Sequence, residues 1–357
     1  MPEDNTPDRT RRSFPGISSR AYEHPADRAA LTALRKAEGF GEVFKKLNSI
    51  IREPNGRLAL LADAVKVSDQ QFRRLDAMLT DACQALDLPE RPAFFVQQSP
   101  EVSAGCWGLD RPTILMSTGL LEMMDQEELR FIIGHEVGHA FSGHGVYKTM
   151  AGWLTQIGVS FAWVPGGTFA IKTILTLLQE WFRKSELSCD RAGLLVGQDL
   201  EAGMRALMKL AGGAHLEEMN PMAFLEQARE YEAGGSVKES FLKIRMIKDR
   251  SHPITSLRAL ELTRWVESGD YRRILNGDYP RRDEDQNASF RAEAKAAGES
   301  YVNSAKNSSD PLFTKLRGFA DDAAGAGDRL GQKLYRKWGS QGPDDTQDQN
   351  EQNGESA

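Results

Sequence analysis

The chain has 357 residues, 40% of them hydrophobic and 27% charged, and a net charge of −6. That length accommodates one sizeable core with a smaller appendage, and the negative balance leaves no electrostatic footprint for nucleic acid. Three cysteines, Cys83, Cys106 and Cys189, are odd in number and scattered, which argues against a disulfide framework and suits a reducing cytoplasm.

Residues 1–22 are charged and carry Pro2, Pro7 and Pro15. That composition predicts a disordered segment, and no apolar run marks a signal peptide. Residues 25–52 read as helix interrupted by Gly39 and Gly41, and residues 68–87 as a second helix with Phe72, Leu75, Met78, Leu79, Ala82 and Leu86 on its apolar face. A small β region follows. Ala93 to Val96 reads as a strand, Cys106-Trp107 lies on a second, and Thr113 to Met116 forms a third, with Asp110-Arg-Pro112 turning between the last two.

The next helix carries the chemistry. Asp125 is a good N-cap, and Glu128 three residues later completes a capping box. Leu129, Phe131, Ile132, Ile133 and Val137 supply an apolar face, and Gly143 with Gly145 marks the end. Within it stands His135-Glu-Val-Gly-His139. Histidines four apart lie on one helical face and can share one Zn²⁺, and Glu136 beside them is placed to work on the metal's water. The competing reading, a buried helix that happens to carry these residues, would need several buried polar partners.

A catalytic zinc needs a third ligand. One peptidase type takes it from H-E-x-x-H-x-x-G-x-x-H, but here Gly143 comes one place late and His144 one place early. His144 therefore reads as a helix-end residue. His24, His215 and His252 lie in no helix-spaced metal pattern. Residues 181–195 read as a helix with Glu186 and Asp190 four apart on one face. Glu186 can reach the metal and Asp190 can hold a histidine's far nitrogen. The bland reading of that pair, a solvated face matched with Arg183 and Arg191, stays open on spacing alone.

Between the two helices, residues 150–182 hold two apolar pieces, Trp153 to Val164 and Thr168 to Leu178, split by Pro165-Gly-Gly167. Each is shorter than the roughly 20 residues of a membrane span. Three readings compete: a buried hairpin, a surface making peripheral contact with a bilayer or an unfolded chain, and a membrane hairpin. Helices continue at 191–213, 221–232, 238–249 and 254–268, with weaker candidates at 290–305 and 312–338. Residues 340–357 carry five acids and no base, a solvating tail.

Three stretches resemble the metallopeptidase family that contains the heat-shock protease HtpX and the type 1 CAAX prenyl protease. They are Thr118-Gly-Leu-Leu with Asp125-Gln-Glu-Glu-Leu and Gly134 to His139, then Glu186-Leu-Ser-Cys-Asp190-Arg191, then Ser251-His-Pro-Ile-Thr-Ser-Leu-Arg258. The resemblance covers roughly residues 90–265. It implies a zinc endopeptidase acting on polypeptides, with one zinc on His135, His139 and Glu186, and Glu136 as base. By the same resemblance His252 stabilises the oxyanion, with Arg258 orienting it, a ligand or Asp190. The family often has Asn-Ala-Phe on the substrate-pairing strand. Here that place reads Ser103-Ala104-Gly105, so specificity does not transfer.

The expected fold is α+β, mostly α: a zincin-like domain over 23–270, a helical extension over 271–339 and the tail over 340–357. The expected setting is cytoplasmic, with membrane association through 150–182 under the second reading. The alternative function is a latent or inactive zinc protein that binds proteins or membrane surfaces.

Overall fold

The computed structural model describes residues 10–35, 40–41, 43, 54–108, 111–157, 167–233 and 254–285. All lie in one compact unit, Met1–Pro311, and the second unit, Leu312–Ala357, falls outside them. The helices expected at 238–249, 290–305 and 312–338, and the acidic tail, are likewise outside the described residues.

The described chain is mostly helical with one small sheet, the expected α+β class. Helix α1 spans Pro25–Arg35, α2 Pro54–Asp63, α3 Arg73–Ala85, α4 Thr118–Met123, α5 Gln126–Phe141, α6 His144–Ile157 and α7 Gly167–Gly197. They are followed by α8 Leu200–Gly212, α9 Pro221–Ala233, α10 Thr255–Glu267 and α11 Asp270–Leu275. The strands are β1 Val65–Lys66, β2 Ala93–Gln97, β3 Ala104–Trp107 and β4 Thr113–Ser117, ordered β1-β2-β4-β3. β2 and β4 are parallel, with Ala93 opposite Thr113, while β1 and β3 run antiparallel to their neighbours. The two-residue β1 is too short to show a period in sequence. β3 is an edge and packs against α5 and α6.

Both halves of the predicted capping box form. Asp125 Oδ1 accepts from the Glu128 amide at 2.8 Å, and Glu128 Oε2 accepts from the Asp125 amide at 2.8 Å. Glu128 is fully buried, yet Arg205 and Lys209 of α8 reach its two oxygens. Every residue from Glu128 to His139 is buried, so α5 is a core helix enclosed on all faces. It stops at Ser142, and Gly143 takes φ +68, a conformation that costs glycine little. Gly145 is not part of the stop. It sits in the first turn of α6, which starts at His144.

The helix expected around Glu186 and the apolar piece before it are one 31-residue helix, α7. It crosses α5 through glycine. A Cβ on Gly134 would lie 2.6 Å from Val196 Cβ, one on Gly138 2.6 Å from Ala192 Cβ, and one on Gly193 2.7 Å from the Phe131 carbonyl oxygen. The two backbones touch where other residues would hold them apart. A second core joins α1, α6 and α7 through Ala30, Leu34, Met150, Leu154, Ile174, Leu178 and Trp181. The described apolar residues of 150–182 that belong to it are therefore buried. Among the described residues no helix is long and apolar enough to cross a membrane.

The expectation of disorder over 1–22 fails for residues 10–22. Phe14, Ile17 and Tyr22 are buried in the main core. The Phe14 amide donates to the Ala85 carbonyl at 2.8 Å, and Ser18 Oγ donates to Asp285. Charge and proline content described this segment's surface, whereas three apolar anchors decide its fate. Residues 270–285 share that packing through Ile274 and Tyr279.

Gly134→Val should overpack the α5–α7 crossing and cost about 1–3 kcal/mol, seen as a lower urea or thermal midpoint. A wild-type midpoint would mean the crossing has room to spare.

Candidate metal centre

The close crossing sets one face of α5 against the middle of α7. His135 and His139 come from α5, and Glu186 and Asp190 from α7. Each is at most 2% exposed. His135 Nε2 lies 3.2 Å from His139 Nε2 and 3.4 Å from Glu186 Oε2, and His139 Nε2 lies 3.2 Å from Glu186 Oε1. Metal–ligand bonds of about 2.0–2.1 Å in a tetrahedron place ligand atoms about 3.3 Å apart. The two imidazole nitrogens, each with one of the two Glu186 oxygens beside it, thus stand at separations that suit such a tetrahedron, and they are of the types zinc prefers.

Each histidine is gripped from behind. His135 Nδ1 lies 2.9 Å from Asp190 Oδ1. With Nε2 turned to the ligand cluster, Nδ1 carries the proton and donates it to the carboxylate. Asp190 in turn accepts from Arg258 of α10, Nε to Oδ2 at 2.7 Å and Nη2 to Oδ1 at 2.5 Å. Arg258 Nη1 also lies 3.3 Å from Glu186 Oε2. Of the partners the sequence offered for Arg258, the structure places it on Asp190 and beside Glu186. Its other proposed partner, His252, lies outside the described residues.

His144 stands just past the end of α5, as expected, but it is buried, and its Nδ1 stands 3.1 Å from His139 Nδ1. The turn at Gly143 folds it back beneath the motif, which spacing along one helix cannot reveal. Asp27, on α1, lies 3.7 Å from the other His144 nitrogen. Phe182 stacks on His139 with centroids 6.0 Å apart. Lys148 Nζ lies 5.0 Å from the ring centroids of both Phe182 and Trp107 and has no hydrogen-bond partner among the described residues. A strand forms at the expected place. The Ser103 amide donates to Ser117 Oγ, and Ala104 and Gly105 begin edge strand β3. Gly105 is crowded: a Cβ there would meet the Trp107 ring at 2.7 Å. His24 faces Glu261 and His215 is exposed beside Glu217, so neither belongs to the cluster.

The electrostatics separate His135 from His139. Burial opposes charge on His135, but its hydrogen bonds to Asp190 and Glu186 and their negative charges overcome it and hold its pKa up at about 9. Burial dominates at His139, pushing it down to about 3 against the pull of Glu186. Burial raises Asp190, and the Arg258 charge more than reverses that, so its pKa is lowered. A second group of ligand atoms, His139, His144 and Cys189, shares His139. Its thiol is the weak member. Burial first, then Glu186, Asp27, Glu136 and Asp190, all raise the Cys189 pKa, and a thiol that stays protonated is a poor ligand.

A glutamate beside paired histidines on one buried helix, faced by a carboxylate from a second helix, defines a metallopeptidase site. The description "Peptidase family M48" matches residues 69–266, more than half of the chain, and the chain belongs to that family. It is 34% identical over 268 residues to the plastoglobule-localized metallopeptidase 48 of Arabidopsis thaliana, covering 73% of this chain and 77% of that one. It is 28% identical to the protease HtpX of Acinetobacter baylyi, over 38% of this chain and 54% of that one. An HtpX homolog of Caldanaerobacter subterraneus subsp. tengcongensis is 33% identical over 26% of this chain and 31% of its own length. The matches to these two proteins therefore span half of their length or less than a third.

Arg258→Ala would leave Asp190 and Glu186 buried without their cation. It should cost the metal-free protein about 3–5 kcal/mol, measured by urea denaturation in chelator. Added zinc should recover part of that loss, because a bound dication replaces the missing charge.

Proposed function

We propose that this metallopeptidase is a zinc-dependent endopeptidase whose metal is held by His135, His139 and Glu186, one ion per chain. The observation that carries the reading is Glu136. Its Oε2 is buried and has no hydrogen-bond partner among the described residues. A buried carboxylate oxygen without a partner is costly, and a purely structural metal site has no use for it. Next to two ligand histidines it serves as a base waiting for a proton.

Zinc bound at these ligands supplies a Lewis acid that lowers the pKa of water toward ~7 and polarises a carbonyl group. Glu136 Oε2 takes the proton of the attacking water and returns it to the leaving amine nitrogen. Asp190 holds the His135 tautomer, and Arg258 keeps Asp190 ionised. His252 hydrogen-bonds the oxyanion of the tetrahedral stage. An extended polypeptide pairs with edge strand β3 near Ser103, Ala104 and Gly105, which presents its carbonyl to the cleft. The three cysteines are unpaired and buried, which supports a reducing, cytoplasmic setting. A role in protein quality control fits a peptidase that takes extended chains. The alternative, an inactive zinc protein serving as a binding module, leaves Glu136 without a purpose.

Glu136→Gln should abolish cleavage of unfolded casein while the protein keeps one zinc, measured by metal analysis and gel assay. Residual cleavage near the wild-type rate would remove Glu136 from the mechanism. His252→Ala should lower turnover far more than zinc content, and full activity would end its assigned role.

Zinc binding should also depend on pH in a stated direction. The metal takes a neutral imidazole, whereas metal-free His135 stays protonated up to about 9. Binding at neutral pH must therefore displace a proton, and apparent affinity should rise about tenfold per pH unit on approaching that value. Calorimetry in buffers of different ionisation enthalpy reads the released proton directly. No release at pH 7 would contradict a charged His135.

A further inference from the structure

The two ligand histidines are supported differently. His135 rests on a carboxylate, Asp190, at 2.9 Å. The far nitrogen of His139 instead meets a third imidazole, His144, at 3.1 Å. His139 turns Nε2 toward His135 and Glu186. A neutral imidazole that gives its Nε2 lone pair to a metal carries its proton on Nδ1, and His144 Nδ1 is the acceptor there. His144 then carries its own proton on Nε2, which faces Asp27 Oδ2 at 3.7 Å. Asp27 is fixed in turn. Its Oδ2 accepts from Ser188 Oγ at 2.6 Å, and Ser188 Oγ accepts from the His24 amide at 2.8 Å. From His139 through His144 the protons face Asp27, and the Ser188 donor, backed by the His24 amide, reaches the same carboxylate.

Asp27, His144, Ser188 and His139 are each no more than 3% exposed. The His144 ring is wedged edge-on against Trp181, with centroids 5.2 Å apart. Asp27 belongs to α1, which docks on α7 through Ala30 and Leu34 in the second core. This helix precedes the stretch, residues 69–266, that defines the family.

We propose that His144 and Asp27 are positioning residues that orient His139 for the metal, so that the N-terminal helix α1 is a working part of the metal centre. The proposal rests on the zinc site of the preceding subsection. Carboxylates and carbonyls that hold a ligand histidine typically contribute 10–100-fold to metal affinity. Here an imidazole carries that support across to a carboxylate on another helix.

The test uses the full chain and zinc itself. Zinc dissociation constants are measured by chelator competition for wild type, Asp27→Asn, His144→Phe, His144→Asn and, as a control, His135→Ala. Cobalt(II) absorption spectra are recorded on the same proteins. His144→Phe keeps the ring packing but removes the acceptor, and should weaken zinc toward about 100-fold and shift the cobalt bands. Asp27→Asn should weaken it nearer about 10-fold. His144→Asn, which keeps an oxygen near the Nδ1 position, should restore most of the affinity. Should His144→Phe fail to fold, Asp27→Asn decides alone, and wild-type affinity and spectra there would overturn the proposal. Wild-type affinity and spectra in both Asp27→Asn and His144→Phe would overturn the proposal and leave the zinc site standing. A strong thiolate-to-cobalt band would also overturn it, by placing the metal on Cys189. Equal zinc binding by wild type and His135→Ala would instead bring down the zinc site itself.

Discussion

The centre depends on how closely α5 and α7 approach. Two helices separated by ordinary side chains have axes about 8–10 Å apart. Here Gly134, Gly138 and Gly193 remove the intervening Cβ atoms, and the added atom at any of them would sit under 3 Å from the opposite helix. Only at that approach can a short carboxylate side chain on α7 reach between two imidazoles on α5. The glycine within the motif is therefore as necessary to the geometry as the histidines that flank it. The same crossing buries every group that lines the site.

Burial on that scale demands that charge be answered. Asp190 and Glu186 are two carboxylates in one apolar crossing, and Arg258 is the cation that reaches both. Arg258 arrives on a third helix, α10, and so couples the site to the packing of α10 on α7 and α8. His135 shares the remaining negative charge and holds a proton because of it. At His139 burial outweighs the pull of Glu186 and keeps the ring neutral. A metal ion entering this cluster would take over part of the task now divided between Arg258 and the His135 proton. That division explains why so many ionisable groups coexist in a dry interior.

The N-terminal segment has two structural tasks. Residues 10–22 fill the main core with Phe14, Ile17 and Tyr22, and α1 builds the second core with α6 and α7. The second core absorbs described apolar residues on both sides of 158–166, and it clamps Trp181 next to His144. The aromatic layer of Trp181, Phe182 and Trp107 then carries Lys148 toward the edge strand. Support for the site, shielding of the site and the strand beside it are thus continuous packing rather than separate modules.

The amino-acid sequence by itself determined what is local. A capping box needs residues three apart, a pair of ligands on one helical face needs them four apart, and three of the four strands were legible as apolar runs bounded by turns. His135, Glu136 and His139 follow from that periodicity. Glu186 and Asp190 were legible only as a helical pair with two meanings, because spacing says which residues share a face but not what the face meets. Tertiary structure decided the rest. The turn at Gly143 returns His144 to His139, and α1, far away in sequence, brings Asp27 to His144. Buried apolar anchors order residues 10–22 despite their charge. Each of these rests on long-range burial, which sets partners by the packing of whole helices and leaves no period in the chain for a sequence to display.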